Sequence, residues 1–291
     1  MKKNAILATD LSNAADVLLE CKKQYKALGI EKITLFHALG VQYMNFSGYT
    51  FLDQTKARLE KIKNKLEKDG FLVEIVIKEG LPYYELVDFG KENPDAILIL
   101  GTRGMGFLKG VLLGSTADQV IRRSKNPILL IQCIESESNG KDEQNKFYCN
   151  HSYDKLLFAT DFSDCSEQAF QFLKNNVVQS TDKIILTHIL DSEKNEGRSQ
   201  EEIDKLDLIH KERLLRMKND LLSLTDSDIE IVLRSGLPIK EIVNLIKQKN
   251  VNLVLMGAHG KGFIEDRILG STIRSVVELS KVNHLIIPFN H

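Results

Sequence analysis

Two short stretches of the chain combine residues suited to holding a phosphate group. Gly101 is followed after two residues by Gly104, after nine more by Gly114, and then directly by Ser115 and Thr116. The same spacing returns as Gly257, Gly260, Gly270, Ser271 and Thr272. In each set the first glycine closes an apolar run, where a ligand can approach the backbone. The second lets the chain turn without a Cβ. The third, with its hydroxyl residues, opens a helix whose free N–H groups and positive dipole end suit an anion. The bland alternative is turn glycines followed by an ordinary serine cap.

Other phosphate-binding signatures are missing. The chain contains no GxxxxGK[ST], which excludes a Walker-type NTPase. After the first apolar run it reads TDLS, and in the later copy TDFS, rather than the GxGxxG of a dinucleotide fold. Asp10 and Asp161 stand in those loops beside the expected phosphate site. Arg103 and His259 occupy equivalent places between the first two glycines.

These pairs belong to a larger pattern. ILATDLS (6–12) recurs as LFATDFS (157–163), and TLFHAL (34–39) as ILTHIL (185–190), both at an offset of 151. EGLP (79–82) and SGLP (235–238), like the two glycine motifs, are offset by 156. The chain is a tandem duplication with five residues inserted between His188 and Gly236. Residues 135–152 are polar and without apolar periodicity, so they read as a linker between domains 1–134 and 153–291.

Within each half, strand-like and helix-like patterns alternate. Strands are expected at Ala5–Thr9, Lys32–Ala38, Leu72–Lys78, Ala96–Gly101 and Pro127–Ile131. In the second half they fall near Lys155–Ala159, Lys183–His188, Ile229–Leu233, Leu253–Met256 and His284–Ile287. Between the strands of the first half, helices are expected over Asn13–Leu28, Phe51–Asp69, Tyr83–Glu92 and Ser115–Ser124. AILIL and PILLI are continuous apolar runs, as parallel strands covered on both faces require. The expected fold is α/β, two doubly wound five-stranded parallel-sheet domains in tandem, with ligands outside the carboxyl ends of the strands.

Composition narrows the function class. In 291 residues 43% are hydrophobic and 27% charged, enough apolar surface for packed domains. A net charge of −1 and the absence of tryptophan argue against a nucleic-acid binder. No run is long enough to span a bilayer, and the start lacks a signal-peptide core, so a cytoplasmic location is expected. The four cysteines are far apart, with no CxxC pair, and are expected to be free thiols.

ATD after the first strand, a strand ending near His37, and G-x2-G-x9-G-[ST] before the last helix together resemble the universal stress protein family. The resemblance spans both halves and omits only the linker. It implies strand order 3-2-1-4-5, an adenine nucleotide alpha-hydrolase-like fold, and ATP or AMP binding in members with the full motif. Mg²⁺ would accompany ATP. It implies that Asp10, Ala38, Gly101, Arg103, Gly104, Gly114, Ser115 and Thr116 form one nucleotide site. Asp161, Ile189, Gly257, His259, Gly260, Gly270, Ser271 and Thr272 would form the other. Ala38 and Ile189 match the position whose backbone recognises adenine. The family also implies pairing of the halves through their fifth strands, with a homodimer as a further possibility.

The expected role is a nucleotide-binding stress-response or regulatory protein. The alternatives are a slow ATPase or nucleotide-transferring enzyme, and an interaction protein with vestigial sites. The loops after the first strand of each half lack SGGxDS, which argues against ATP cleavage between the α and β phosphates. His37 and His188 read as packed strand-end residues without an evident carboxylate partner. Charges in and beside the glycine loops total +2 in the first half and 0 in the second, which favours the first site for a triphosphate.

Overall fold

The computed structural model describes residues 3–40, 48–102, 113–132, 134–135, 147–148, 153–260 and 270–289. Two compact units divide the chain, Met1–His151 and Ser152–His291.

In the first unit, β1 (Lys3–Ala8) leads through α1 (Asn13–Asp16), a 3₁₀ turn (Val17–Glu20) and α2 (Lys22–Ala27) to β2 (Ile30–Leu39). Then come α3 (Gly48–Lys68), β3 (Leu72–Glu79), α4 (Pro82–Glu92), β4 (Ile97–Gly101), α5 (Ser115–Arg123) and β5 (Ile128–Ile131). The strands are parallel in the order β3-β2-β1-β4-β5, as the family resemblance implies. Two short antiparallel strands follow, β6 (Ile134–Glu135) across the start of the stretch read as linker and β7 (Phe147–Tyr148) within it.

The single helix expected over Asn13–Leu28 is broken. Cys21 N–H donates to the Leu18 carbonyl three residues back (3.3 Å), and the Tyr25 hydroxyl takes the same carbonyl at 2.7 Å. The buried phenol thus holds a 3₁₀ turn where the apolar periodicity alone suggests a continuous helix.

The second unit repeats the plan with β8 (Lys155–Ala159), α6 (Asp164–Asn176), β9 (Lys183–Asp191), α7 (Gln200–Leu222) and β10 (Asp228–Gly236). It closes with α8 (Pro238–Lys249), β11 (Leu253–Gly257), α9 (Ser271–Leu279) and β12 (Asn283–Ile287), giving the order β10-β9-β8-β11-β12. Register repeats too: Ile6 lies opposite Leu98, and Leu157 opposite Val254.

The repeated GLP shows how local sequence enforces the plan. Gly80 and Gly236 both take φ 147°, a conformation side chains rarely adopt, and Pro82 and Pro238 then open α4 and α8 with a preset φ. The buried faces of α3 and α7 correspond at an offset of 155: Leu59 with Leu214, Ile62 with Met217, Leu66 with Leu221. Four of the five inserted residues therefore fall between the end of β9 and the buried face of α7.

The expectation of free cysteines holds for Cys165, whose thiol pKa is pushed up by burial. It fails for Cys21, which is buried and disulfide-bonded. No described helix is long and apolar enough to cross a membrane.

Candidate functional site

In the second unit a cavity of ≈ 410 Å³ opens at the carboxyl ends of β8, β9 and β11. That volume lies within the usual range of small-molecule sites. It sits between β8 and β11, where the strand order reverses. All eight candidates of the second half line it: Asp161, Ile189, Gly257, His259, Gly260, Gly270, Ser271 and Thr272.

Its floor is the end of β8 and the loop that follows. Ser163 caps α6 by accepting the Ser166 N–H (3.3 Å), and the Ser163 N–H donates to Asp161 Oδ1 (3.0 Å). Phe162 between them adopts φ 59°, with its N–H on Thr160 Oγ1 at 2.9 Å. A left-handed phenylalanine persists only where such bonds hold it.

The opposite wall is the start of α9. Gly270 is its N-cap, without a side-chain cap and with no acidic residue in the first turn. Partial positive charge at this helix end therefore faces the cavity with no acidic side chain in its own first turn to offset it. A Cβ on Gly270 would meet only ordinary contacts, the nearest being the Ala258 carbonyl oxygen at 3.5 Å.

The other two glycines are needed for reasons spacing did not reveal. At Gly257 a Cβ would lie 2.8 Å from Cys165 Sγ and 3.0 Å from the Cys165 carbonyl carbon. That glycine lets α6 pack against β11, whatever the cavity holds. At Gly260 the expected turn requirement is replaced by a steric one. No left-handed φ occurs there, but a Cβ would stand 2.8 Å from Asp161 Oδ2. The loop after β11 and the carboxylate of the β8 loop thus come together across the strand break.

Among the further lining residues that the sequence did not point to are Lys194, Asn195, Arg198 and His210. The first three stand in the connection after β9, beside the insertion that the repeat offsets revealed. Asn195 Nδ2 donates to the Asp191 carbonyl at 2.6 Å, and Lys194 lies 3.8 Å from the Asp191 carboxylate. His210 reaches in from α7, edge-on to His188 at 4.3 Å between ring centres, with Phe162 4.6 Å from His188. Arg213 covers Phe162 at 4.1 Å.

The first unit carries the same framework. Ser12 N–H donates to Asp10 Oδ1 (2.9 Å), Leu11 takes φ 60°, and Gly114 caps α5 without a side-chain bond. Gly114 N–H reaches the Thr102 carbonyl at 2.8 Å, as Gly270 N–H reaches that of Ala258 at 3.3 Å. Ala38 is the penultimate residue of β2, Gly101 ends β4, and Ser115 and Thr116 begin α5. Arg103 and Gly104 lie outside the described residues.

Comparison with known proteins agrees with this architecture. The profile of the Universal stress protein family matches residues 1–132 and 152–288. Universal stress protein MJ0577 of Methanocaldococcus jannaschii is 31% identical over 155 residues, covering 45% of this chain and 96% of the relative. Universal stress protein YxiE of Bacillus subtilis is 31% identical over 74 residues, 25% of this chain and 50% of the relative. A universal stress protein crystal structure from Archaeoglobus fulgidus superposes with a TM-score of 0.67 at 22% identity, covering 98% of this chain and 96% of that one.

Proposed function

The chain belongs to the universal stress protein family, and from that premise we propose that it is a regulatory protein binding an adenine nucleotide, ATP or AMP, in each half. The observation that carries this reading is the ≈ 410 Å³ cavity at the strand break of the second unit, lined by the three glycines, Ser271 and Thr272 of the second glycine motif. Phosphates would lie against the uncapped start of α9, with Ser271 and Thr272 hydroxyls as donors. Adenine would lie toward Ile189 at the end of β9, with Asp161 on the ribose side. The first half, with the same loop bonds and the same uncapped Gly114, would hold a second nucleotide.

Among the described residues no group of three or more His, Cys, Asp or Glu could hold a metal. Pairing of the two halves through their fifth strands and residence in the cytoplasm belong to the same proposal.

Isothermal titration with ATP, ADP and AMP tests the reading. Wild type should bind, and a Gly114→Val/Gly270→Val variant with unchanged circular dichroism should not. Equal binding by that variant would remove the glycine motifs from the site. Phosphate release on incubation with Mg²⁺ would move the reading to a slow ATPase.

A further inference from the structure

We propose that His37 and His188 are positioning residues, each holding a ligand-facing carboxylate, Asp10 or Asp161, in place through the carbonyl of the preceding threonine. The inference rests on the nucleotide-site reading above. His37 Nδ1 lies 2.8 Å from the Thr9 carbonyl oxygen, and His188 Nδ1 lies 2.8 Å from that of Thr160. A carbonyl only accepts, so Nδ1 carries the proton and donates in both halves. Both histidines are buried, at 7% and 8% exposure.

The bonded carbonyl belongs to the peptide that leads into the aspartate. One residue further on stands the left-handed Leu11 or Phe162. That backbone is tied down by the threonine hydroxyl, which accepts the Leu11 or Phe162 N–H at 3.1 and 2.9 Å. It is tied again by the aspartate Oδ1, which accepts the N–H of Ser12 or Ser163. With Oδ1 so engaged in Asp161, Oδ2 is the oxygen turned toward Gly260.

These two ties are local to the loop. The histidine bond comes from the neighbouring strand and fixes the loop to the sheet. Remove that donor and the threonine carbonyl, at a buried threonine in the second half, loses its partner. The peptide can then turn toward another donor, and the aspartate moves with it. The second half reinforces the arrangement by packing Phe162 against the His188 ring.

The test uses three paired variants in the full chain: His37→Leu/His188→Leu, His37→Asn/His188→Asn and Asp10→Ala/Asp161→Ala. ATP affinity is read by calorimetry well below each variant's melting midpoint, and the midpoints are recorded. The leucine pair should lose affinity about tenfold. The asparagine pair, whose amide N–H can reach the same carbonyl, should recover to within about threefold of wild type. A purely structural role would shift the melting midpoints and leave the affinity of folded protein unchanged.

Wild-type affinity in the leucine pair, or equal losses in the leucine and asparagine pairs, would overturn the proposal. So would an alanine pair that binds normally while the leucine pair does not. A wild-type chain that binds no adenine nucleotide would instead overturn the functional reading on which the proposal rests.

Discussion

The two halves differ little where strands end and a great deal where helices face outward. Thr-Asp-x-Ser, the histidine bond and the glycine N-cap repeat with the same partners. Around them, Leu11 has become Phe162, and Thr55, at the offset of 155, has become His210. Asp118 in the first turn of α5 has become Arg274 in α9, and the buried Ile128 has become His284. On the outer face of α3, Asp53, Glu60 and Glu67 correspond to Leu208, Leu215 and Leu222 on α7, which are 60%, 42% and 51% exposed. Duplication kept the backbone devices that build a site and allowed the charges and rings around it to drift.

The largest effect expected from breaking this comparison is at Gly257. Gly257→Val should destabilise the second half by about 3 kcal/mol, the upper end of overpacking, because Cys165 backbone and sulfur already fill the space. Ala14 stands where Cys165 does, so Gly101→Val should cost less. Urea denaturation of the two variants compares them, and equal costs would show that the cysteine is not the obstacle.

A second expectation concerns acid. Burial drives the His284 pKa down from 6.5 to about 3, so the folded chain keeps this ring neutral. Below pH 6.5 the unfolded chain takes up a proton that the folded one refuses, and stability falls as pH drops toward 3. At full strength the slope is about 1.4 kcal/mol per pH unit. His284→Ile, which installs the first half's residue, should therefore gain about 2–3 kcal/mol relative to wild type between pH 7 and pH 4.5. Parallel denaturation curves at both pH values for the two proteins would contradict the burial argument.

The two sites should differ by a smaller margin. On the glycine loops alone the first is favoured. The cavity wall adds Lys194 and Arg198 to the second, with Asp191 offsetting one of them, and Asp118 against Arg274 weighs the helix start the same way. Asp118 is held by Arg122 at 2.9 Å and Arg274 by Glu278 at 3.1 Å, which mutes the contrast. The second site should bind ATP about three- to tenfold more tightly. Titrating Gly114→Val and Gly270→Val separately checks this, and weaker binding in Gly114→Val, where the second site survives, reverses the order.

The smallest expected effect lies on α7. Replacing Leu208, Leu215 and Leu222 by Asp, Glu and Glu should change stability by no more than about 0.5 kcal/mol per site, since exposed side chains bury little on folding. A loss of several kcal/mol in thermal denaturation would mean that this face is covered.

The strand ladder, the duplication and the glycine loops that line the second-half cavity were legible in the sequence because they rest on local rules. Apolar runs must be buried on both faces, a Gly-Leu-Pro must turn and restart a helix, and a repeated spacing marks a repeated loop. The 3₁₀ turn over Val17–Glu20 was not legible, because a tyrosine hydroxyl and a carbonyl seven residues apart decide it. Nor were the reasons for Gly257 and Gly260, which depend on Cys165 and Asp161, almost a hundred residues away in the chain. Lys194, Arg198 and His210 escaped for the same reason, since no spacing rule ties a loop after β9 or a turn of α7 to a glycine beyond β11. Sequence alone determined which backbone segments line the cavity at the strand break, because hydrogen bonding and hydrophobic periodicity act along the chain. Only the tertiary structure decided which side chains crowd it and with what charge, because those contacts exist only once the strands lie side by side.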